Sequence, residues 1–185
     1  QEIREQAQIA QTILDTYIEK DGSVNIETPE NINRIILVAS GSSYHCARYA
    51  AELFGSISKI EARAIYSSEF LLEGTIAHHE GLLYIFITQS GETTDTNNAL
   101  EKAKEFGVNT LCITNKENST IWNASDYQVA CHAGEEKSIA ATKSFTSQLL
   151  CATLLALKFA QDKDIDVYEH IIELKTIPGF IEQTY

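Results

Sequence analysis

The sequence predicts an α/β fold in which helices cover both faces of a parallel sheet. Short apolar runs, each long enough for a buried strand, alternate along the chain with longer amphipathic stretches. Strands that are separated by helices connect through right-handed crossovers and pair in parallel. The 185 residues, of which 44% are hydrophobic, suffice for one compact domain with its own core. We therefore expect a three-layer αβα sandwich around a flavodoxin-like sheet of about five strands.

Each element can be placed on the chain from its pattern. The apolar runs that we interpret as strands are residues 35–39, 60–66, 82–87, 110–113 and 127–131. The helices expected among them are residues 44–54, 93–106 and 142–161. The helix 93–106 carries one apolar stripe and is followed by Gly107, a common C-terminal cap. Because residues 149–157 are almost wholly apolar, the helix that contains them should be buried under the sheet or in a subunit interface.

Further helical segments flank this core. Apolar residues recur at helical spacing from Ile3 to Ile18, which predicts an N-terminal helical arm and linker over residues 1–30. We assign residues 31–161 to the ligand-binding domain. Residues 162–185 are expected to form a C-terminal helix, interrupted at Pro178 and Gly179, and the start of a connector. The abrupt end at Tyr185 suggests a fragment of a longer protein, and the arm with the buried helix predicts a homodimer.

Charge and composition argue against several classes of protein. The formal net charge of −12, with no basic stripe, disfavours binding to nucleic acid or to an anionic membrane surface. No apolar run has the length of a membrane span and the first residues do not resemble a leader peptide, so we expect a cytoplasmic protein. The four cysteines are widely spaced, which predicts buried free thiols. No cluster has metal-ligand spacing, and neither a metal nor a cofactor is expected.

Three loops that follow predicted strands carry the residues of chemical interest, because ligands of open α/β sheets bind at the carboxyl ends of strands. The first loop is residues 40–44, with the sequence SGSSY. Gly41 permits a tight turn there, and the serine hydroxyls lie beside the start of a helix. This loop alone is a weak indication of function, because serine-rich turns between a strand and a helix are often simple caps.

The second loop, residues 88–93 with the sequence TQSGET, is the most informative. Gly91 lets the backbone approach a ligand closely, and the amides and dipole of the following helix favour an anion. A turn capped by Thr93 would account for one hydroxyl, but not for the whole set of hydroxyl and amide side chains. The sequence therefore predicts a phosphate site here, without the lysine of a nucleotide P-loop.

The third loop, residues 134–144, links the last predicted strand to the apolar helix. Its small residues Ser138, Ala140 and Ala141 leave room for a ligand. Lys143 could supply a positive charge to that ligand, or it could lie on the surface of the helix. The residues alone leave these two interpretations open.

Four segments taken together resemble sugar isomerase (SIS) domains. They are residues 40–44 (SGSSY), 68–70 (SEF), 88–93 (TQSGET) and 141–149 (ATKSFTSQL). In order and spacing they are most similar to the first of two SIS domains in the isomerase half of glutamine–fructose-6-phosphate aminotransferases and their relatives. Residues 4–6 (REQ) also resemble the sequence that starts that half. The resemblance implies a phosphorylated sugar as ligand and a second SIS domain elsewhere in the full-length chain.

The resemblance also implies roles for individual residues. The phosphate would be held by five residues: Ser43, Thr88, Gln89, Ser90 and Thr93, with Thr88 where the family usually has Ser. The sugar would be contacted by Ser42, by the backbone near Ile139 and at the position of Ala141.

Two positions depart from the pattern of the synthase. Ala141 stands where the synthase commonly has Ser, which brings the chain closer to the related sugar-phosphate deaminases and phosphosugar isomerases. Gln1 provides no N-terminal cysteine, so the chain has no glutaminase nucleophile.

The resemblance leaves the catalytic acid and base unassigned, because the relatives take them from the second SIS domain or its connecting segments. Aldose–ketose interconversion needs a base that moves a proton between adjacent carbons. The local candidates are Glu69, Glu92, Glu135, Glu136, Lys143, His45, His78, His79 and His132. His78 and His79 lie in a stretch that we interpret as an exposed loop.

Three functions remain open from the sequence. The first is the phosphosugar-binding half of an amino-sugar-phosphate synthase, isomerase or deaminase. The second is a stand-alone isomerase that uses Glu69 and a histidine at a site between subunits. The third is a non-catalytic sensor of sugar phosphates.

Overall fold

The computed structural model describes residues 1–73 and 80–184, and it contains one five-stranded parallel sheet. The strands are β1 (Arg34–Ala39), β2 (Glu61–Tyr66), β3 (Leu82–Thr88), β4 (Asn109–Thr114) and β5 (Tyr127–Ala130). Their order in the sheet is β2-β1-β3-β4-β5, and each neighbouring pair is parallel. This is the flavodoxin-like order, so the predicted fold class is confirmed.

Seven helices are present among the described residues. They are α1 (Glu2–Tyr17), α2 (Ser42–Ser56), α3 (Ser67–Leu72), α4 (Thr94–Glu105), α5 (Thr120–Ala124), α6 (Lys143–Gln161) and α7 (Tyr168–Glu182). The short helices α3 and α5, of six and five residues, were not predicted. A helix of one or two turns is too short to show a 3.6-residue apolar period, so the sequence pattern does not reveal it.

The helices form two layers because strand side chains point alternately to the two faces of the sheet. Ile35 and Leu37 of β1 belong to a core cluster shared with α1, α2, α6 and α7. Ile36 and Val38 belong to a second cluster with α3, α4 and α5. The central strand β3 is buried along its whole length, as expected for a strand that is covered on both sides.

The prediction that the apolar helix is buried is confirmed. Most of α6 is inaccessible, and the helix packs against α1, α2 and β4 within the larger core cluster. The four cysteines are also free and buried, as the sequence predicted. Burial is the reason why an almost wholly apolar surface is stable on this helix.

The predicted interruption at Pro178 is wrong, because α7 continues through it to Glu182. A proline inside a helix removes one backbone hydrogen bond at a cost of about 3 kcal/mol, but its fixed φ is itself helical. Pro178 is buried together with Ile171 and Leu174, so the face of α7 that carries it contributes to the core. That packing offsets the lost hydrogen bond.

The segments before and after the predicted domain pack onto the same core. The Tyr17 hydroxyl at the end of α1 donates to the carbonyl of Ala130 and accepts from its amide, both at 2.9 Å, so it pairs with the edge of β5. The side chain of Gln161 bonds the backbone of Gly22 and Val24. The boundaries at residues 30 and 161 stay a prediction.

Among the described residues, none of the helices has the length and apolar character to cross a bilayer.

Candidate functional site

A pocket lies at the carboxyl edge of the sheet, where the loops after β1 and β3 meet. These strands are neighbours, and the chain proceeds from them to opposite edges of the sheet, so their loops diverge and leave a crevice. The pocket has a volume of about 290 Å³. All five predicted phosphate residues line it, together with Ser42. The structure therefore brings the first two predicted loops into one site.

The helices α2 and α4 both begin at this pocket. Their N-cap positions are Gly41, which has no side chain, and Thr93, whose side chain makes no cap hydrogen bond among the residues that the structure describes. The first amides of each helix therefore keep hydrogen atoms that can be donated to a ligand. Both helix dipoles also favour negative charge at this point.

Hydrogen bonds within the second loop fix the positions of three hydroxyl groups of the pocket. Thr88 Oγ1 and Thr93 Oγ1 lie 3.0 Å apart, so one donates to the other. Ser90 Oγ accepts from the amide of Glu92 at 3.2 Å, which leaves the hydroxyl proton of Ser90 for a ligand. Thr93 thus occupies the N-cap position without using its hydroxyl as a cap.

The pocket is electrically neutral apart from the helix dipoles. Among the described residues, those that line it include no Lys, Arg, Asp or Glu. An anion bound here would be met by hydroxyl, amide and backbone donors. Such donors recognise shape and hydrogen-bonding capacity, and their affinity does not depend on a paired cation.

Gly91 is required by the geometry of the second loop. Its φ of +70° lies in the left-handed region, and a Cβ at this position would lie 2.0 Å from Ser119 Oγ and 2.4 Å from Ser119 Cβ. The loop therefore packs directly against the start of α5. Only glycine permits so close an approach at this φ.

Glu92 fastens the same loop to α5. Its carboxylate accepts from the Thr120 amide at 3.0 Å and from the Thr120 hydroxyl at 2.6 Å. These hydrogen bonds lower the pKa of Glu92. The Ile121 amide also donates to the Gly91 carbonyl at 3.2 Å. Glu92, a local candidate for proton transfer, therefore serves as an anchor for the turn.

Asn115 connects the second loop to the third and was missed from the sequence. Its amide donates to the Gln89 carbonyl at 3.2 Å. Its side chain accepts from the Ala133 amide at 2.8 Å and donates to the Gly134 carbonyl at 2.6 Å. Asn115 directly follows β4. Because ligands of open α/β sheets bind at the carboxyl ends of strands, the loop after β4 could have been added to the three candidate loops.

The third loop is not part of the pocket. Ile139 and Ala141, the predicted sugar contacts, are exposed and do not line it. Lys143 has only 6% of its side chain exposed and its ammonium lies 2.7 Å from the Glu5 carboxylate. The alternative that Lys143 lies on the helix surface is therefore wrong. Its charge is already paired, and the hydrogen bond from Lys143 lowers the pKa of Glu5.

The other candidates for proton transfer are scattered. Glu69 and His45 are exposed on α3 and α2. Glu135 lines a separate hollow with Glu2 and Glu5. His132 is half-buried, with its ring 5.8 Å from that of Tyr17.

Glu136 caps the start of α6, where it accepts from the Thr142 and Ser144 amides and from the Ser144 hydroxyl. Burial alone would raise the pKa of Glu136, but these hydrogen bonds lower it overall. His78 and His79 lie outside the described residues.

Comparison with known proteins yields one family. Residues 30–158 match the SIS domain. The isomerizing glutamine–fructose-6-phosphate aminotransferase of Campylobacter jejuni is 37% identical over 184 residues, which are 97% of this chain and 31% of that protein. The solved C-terminal domain of glucosamine-fructose-6-phosphate aminotransferase from Francisella tularensis superposes with a TM-score of 0.89 and 30% identity, over 96% of this chain and 52% of that one.

A third protein shares the fold at lower identity. It is glucosamine-6-phosphate deaminase from Thermotoga maritima, with a TM-score of 0.77 and 24% identity over 97% of this chain and 53% of that one. The chain thus spans about one third of the aminotransferase sequence it resembles and about half of each solved chain.

Proposed function

Because the chain belongs to the SIS domain family, we propose that it binds the phosphate of a sugar phosphate in the pocket between the loops after β1 and β3. The single observation that carries this proposal is the convergence of two uncapped helix N-termini and a set of hydroxyl groups on one neutral pocket. A phosphate monoester presents several acceptor oxygens, which suit many donors that point to the same place.

The ligand that we propose is a six-carbon sugar phosphate of the fructose 6-phosphate or glucosamine 6-phosphate type. The relatives that cover nearly the whole chain are aminotransferases named for fructose 6-phosphate. In that setting the chain acts as the N-terminal half of the isomerase module of an amino-sugar-phosphate synthase. Its own residues hold the phosphate and orient the sugar, and the groups that transfer protons come from a second SIS domain.

In the binding mode that we propose, some groups of the site donate hydrogen bonds to the phosphate and others hold the turn in place. Ser90 donates its hydroxyl proton to a phosphate oxygen while its own oxygen stays bonded to the Glu92 amide. The amides at the start of α2 and α4 donate to the remaining oxygens. Glu92 and Thr120 keep the turn in place. A phosphate that is fixed in this way holds the sugar carbons in one orientation for proton transfer.

Removing one hydroxyl tests the assignment. We expect Ser90→Ala to weaken the binding of fructose 6-phosphate about tenfold, because one hydrogen bond to a charged group contributes roughly 1.5 kcal/mol. Isothermal titration calorimetry measures the dissociation constant directly. The matched control is Ser56→Ala at the end of α2, where the hydroxyl bonds only backbone carbonyls of its own helix. Equal affinities of wild type, Ser90→Ala and the control would rule out the site.

Salt dependence provides an independent test of the neutral pocket. A site built from Lys or Arg loses affinity for anions as salt screens its charge. Here we expect the dissociation constant to change less than about twofold between low and high sodium chloride, because neutral donors bind the phosphate and the net charge of −12 gives no attraction to screen. A steep loss of affinity with salt would mean that a cation contacts the ligand.

A second candidate is a glucosamine-6-phosphate deaminase or a phosphosugar isomerase of the double-SIS type. It is favoured by one position, Ala141, where the synthase commonly has Ser. Measuring ammonia release from glucosamine 6-phosphate by the full-length protein separates the two, because a deaminase releases ammonia from this amino sugar, whereas a synthase binds it as its product. Isomerase turnover by the chain alone would instead favour a stand-alone isomerase, and ligand binding without turnover in the full-length protein would favour a sensor.

A further inference from the structure

The first two turns of α1 contact the end of the segment that joins β5 to α6 and the first turn of α6. We call Glu2, Glu5 and Gln6 the clasp. Glu5 and Gln6 lie three and four positions after Glu2, so both share a face of the helix with it. Glu2 accepts from the Lys137 and Ser138 amides at 2.5 and 3.3 Å, Glu5 accepts from Lys143, and Gln6 accepts from the Thr146 hydroxyl at 2.5 Å. These four partners of the clasp all fall within residues 137–146.

The partners of the clasp have strong requirements of their own. Lys143 is buried, and a buried ammonium is stable only with a nearby anion and hydrogen-bond acceptor. Glu5 provides both. The adjacent amides of Lys137 and Ser138 point to a single carboxylate oxygen, which is the arrangement of a backbone anion site. Glu2 and Glu5 therefore determine where this segment lies.

Residues 138–141, which lie between the contacts of Glu2 and Glu5, are exposed. Ile139 has its whole side chain accessible. Before this stretch, Ala133 and Gly134 are hydrogen-bonded to Asn115, which connects them to the phosphate loop. After it, the amides of Thr142 and Ser144 at the start of α6 donate to Glu136. This stretch follows β5, whose end lies two strands, roughly 10 Å, from the end of β3 along the sheet edge. Only the part of a ligand distant from the phosphate can reach it.

We propose that the clasp of α1 positions residues 138–141 for contact with the sugar, so that Glu2 and Glu5 are positioning residues for the sugar half of the site. This inference rests on the proposed function. It gives α1 two roles: the clasp positions residues 138–141, and the rest of the helix packs in the core. Farther along the helix, Ala10, Ile13 and Leu14 are buried in the main core and hold α1 in place without the clasp. Loss of the clasp should therefore release the segment and leave the fold intact.

The test compares two ligands in one variant. In Glu5→Gln we expect the dissociation constant of fructose 6-phosphate to rise about tenfold, as for the loss of a hydrogen bond to the sugar, while that of inorganic phosphate changes less than about twofold. Inorganic phosphate occupies only the pocket, so it reports on the phosphate loops alone. The control is Asp15→Asn on the same helix, which removes the same charge from an exposed carboxylate bonded to Gln11.

Amide hydrogen exchange gives a second readout in the same proteins. We expect faster exchange at residues 137–146 in Glu5→Gln and unchanged exchange at residues 88–93. Equal loss of affinity for both ligands, or no loss for either, would overturn the proposal. If wild type binds phosphate and fructose 6-phosphate equally well, the clasp has no sugar contact to position, and the proposed phosphate site still stands. If wild type binds neither ligand, the proposed function fails and the inference fails with it.

Discussion

Replacing Gly91 by alanine is expected to lower the affinity for sugar phosphate at least about a hundredfold, which corresponds to roughly 2.7 kcal/mol. The new Cβ would lie 2.0 Å from Ser119 Oγ at a backbone φ of +70°, so the turn must move away from α5. The donors that converge on the phosphate would then no longer point to one position. Calorimetric titration with fructose 6-phosphate measures the loss, and thermal unfolding should show a decrease in stability of about 1–3 kcal/mol.

Two further variants test whether the steric clash with Ser119, rather than backbone strain, causes the loss of affinity in Gly91→Ala. Gly107→Ala has a similar φ of +67° but no atom within 4 Å of the new Cβ, so it tests backbone strain without the steric clash and far from the ligand. We expect it to lower stability and to leave binding unchanged. Adding Ser119→Gly to Gly91→Ala removes both closest atoms, leaving Ile121 at 3.3 Å, and should restore part of the affinity. Full binding by Gly91→Ala alone would show that this turn does not hold the ligand.

Removing the side chain of Asn115 is expected to uncouple the second and third loops. Asn115→Ala deletes the hydrogen bonds to the Ala133 amide and the Gly134 carbonyl, and the Ala133 amide is buried. An unsatisfied buried donor costs about 1–3 kcal/mol, so we expect a lower free energy of unfolding by about 2 kcal/mol. For a chain of this size the melting temperature should fall by about 4–8 °C. The dissociation constant of fructose 6-phosphate should rise about thirtyfold.

The control for Asn115→Ala is Asn98→Ala on the exposed face of α4. Alanine has a higher helix propensity than asparagine, so this substitution should leave stability unchanged or raise it slightly. If Asn115→Ala lowers stability without changing the affinity for fructose 6-phosphate, the link between the two loops is structural only. If neither property changes, the observed hydrogen bonds contribute nothing measurable.

The site that we propose combines a pocket for the phosphate with a more exposed segment, residues 138–141, for the sugar. The pocket is made by loops of adjacent central strands, and its turn is anchored by Glu92 and Gly91 to α5. The exposed segment is anchored at its ends by Asn115, Glu136 and the clasp.

The prediction from sequence was most successful where neighbouring residues carry the signal. The run before the second loop became β3, the turn followed it, and the stripe of Thr96, Ala99 and Leu100 became the buried face of α4. Prediction was less successful for α3 and α5, which are too short to show a period, and at Pro178, where packing outweighs the local preference against a helix.

By itself the sequence determined the fold class, the five strands, the longer helices and the turn at residues 88–93, because apolar periodicity and turn chemistry act between residues close in the chain. Only the tertiary structure decided that Lys143 is paired with Glu5, 138 residues away, and that Gly91 packs on Ser119. The same holds for Asn115, which joins two loops. Such contacts join residues that are far apart in the chain and that only the complete fold brings together, so no local sequence pattern predicts them.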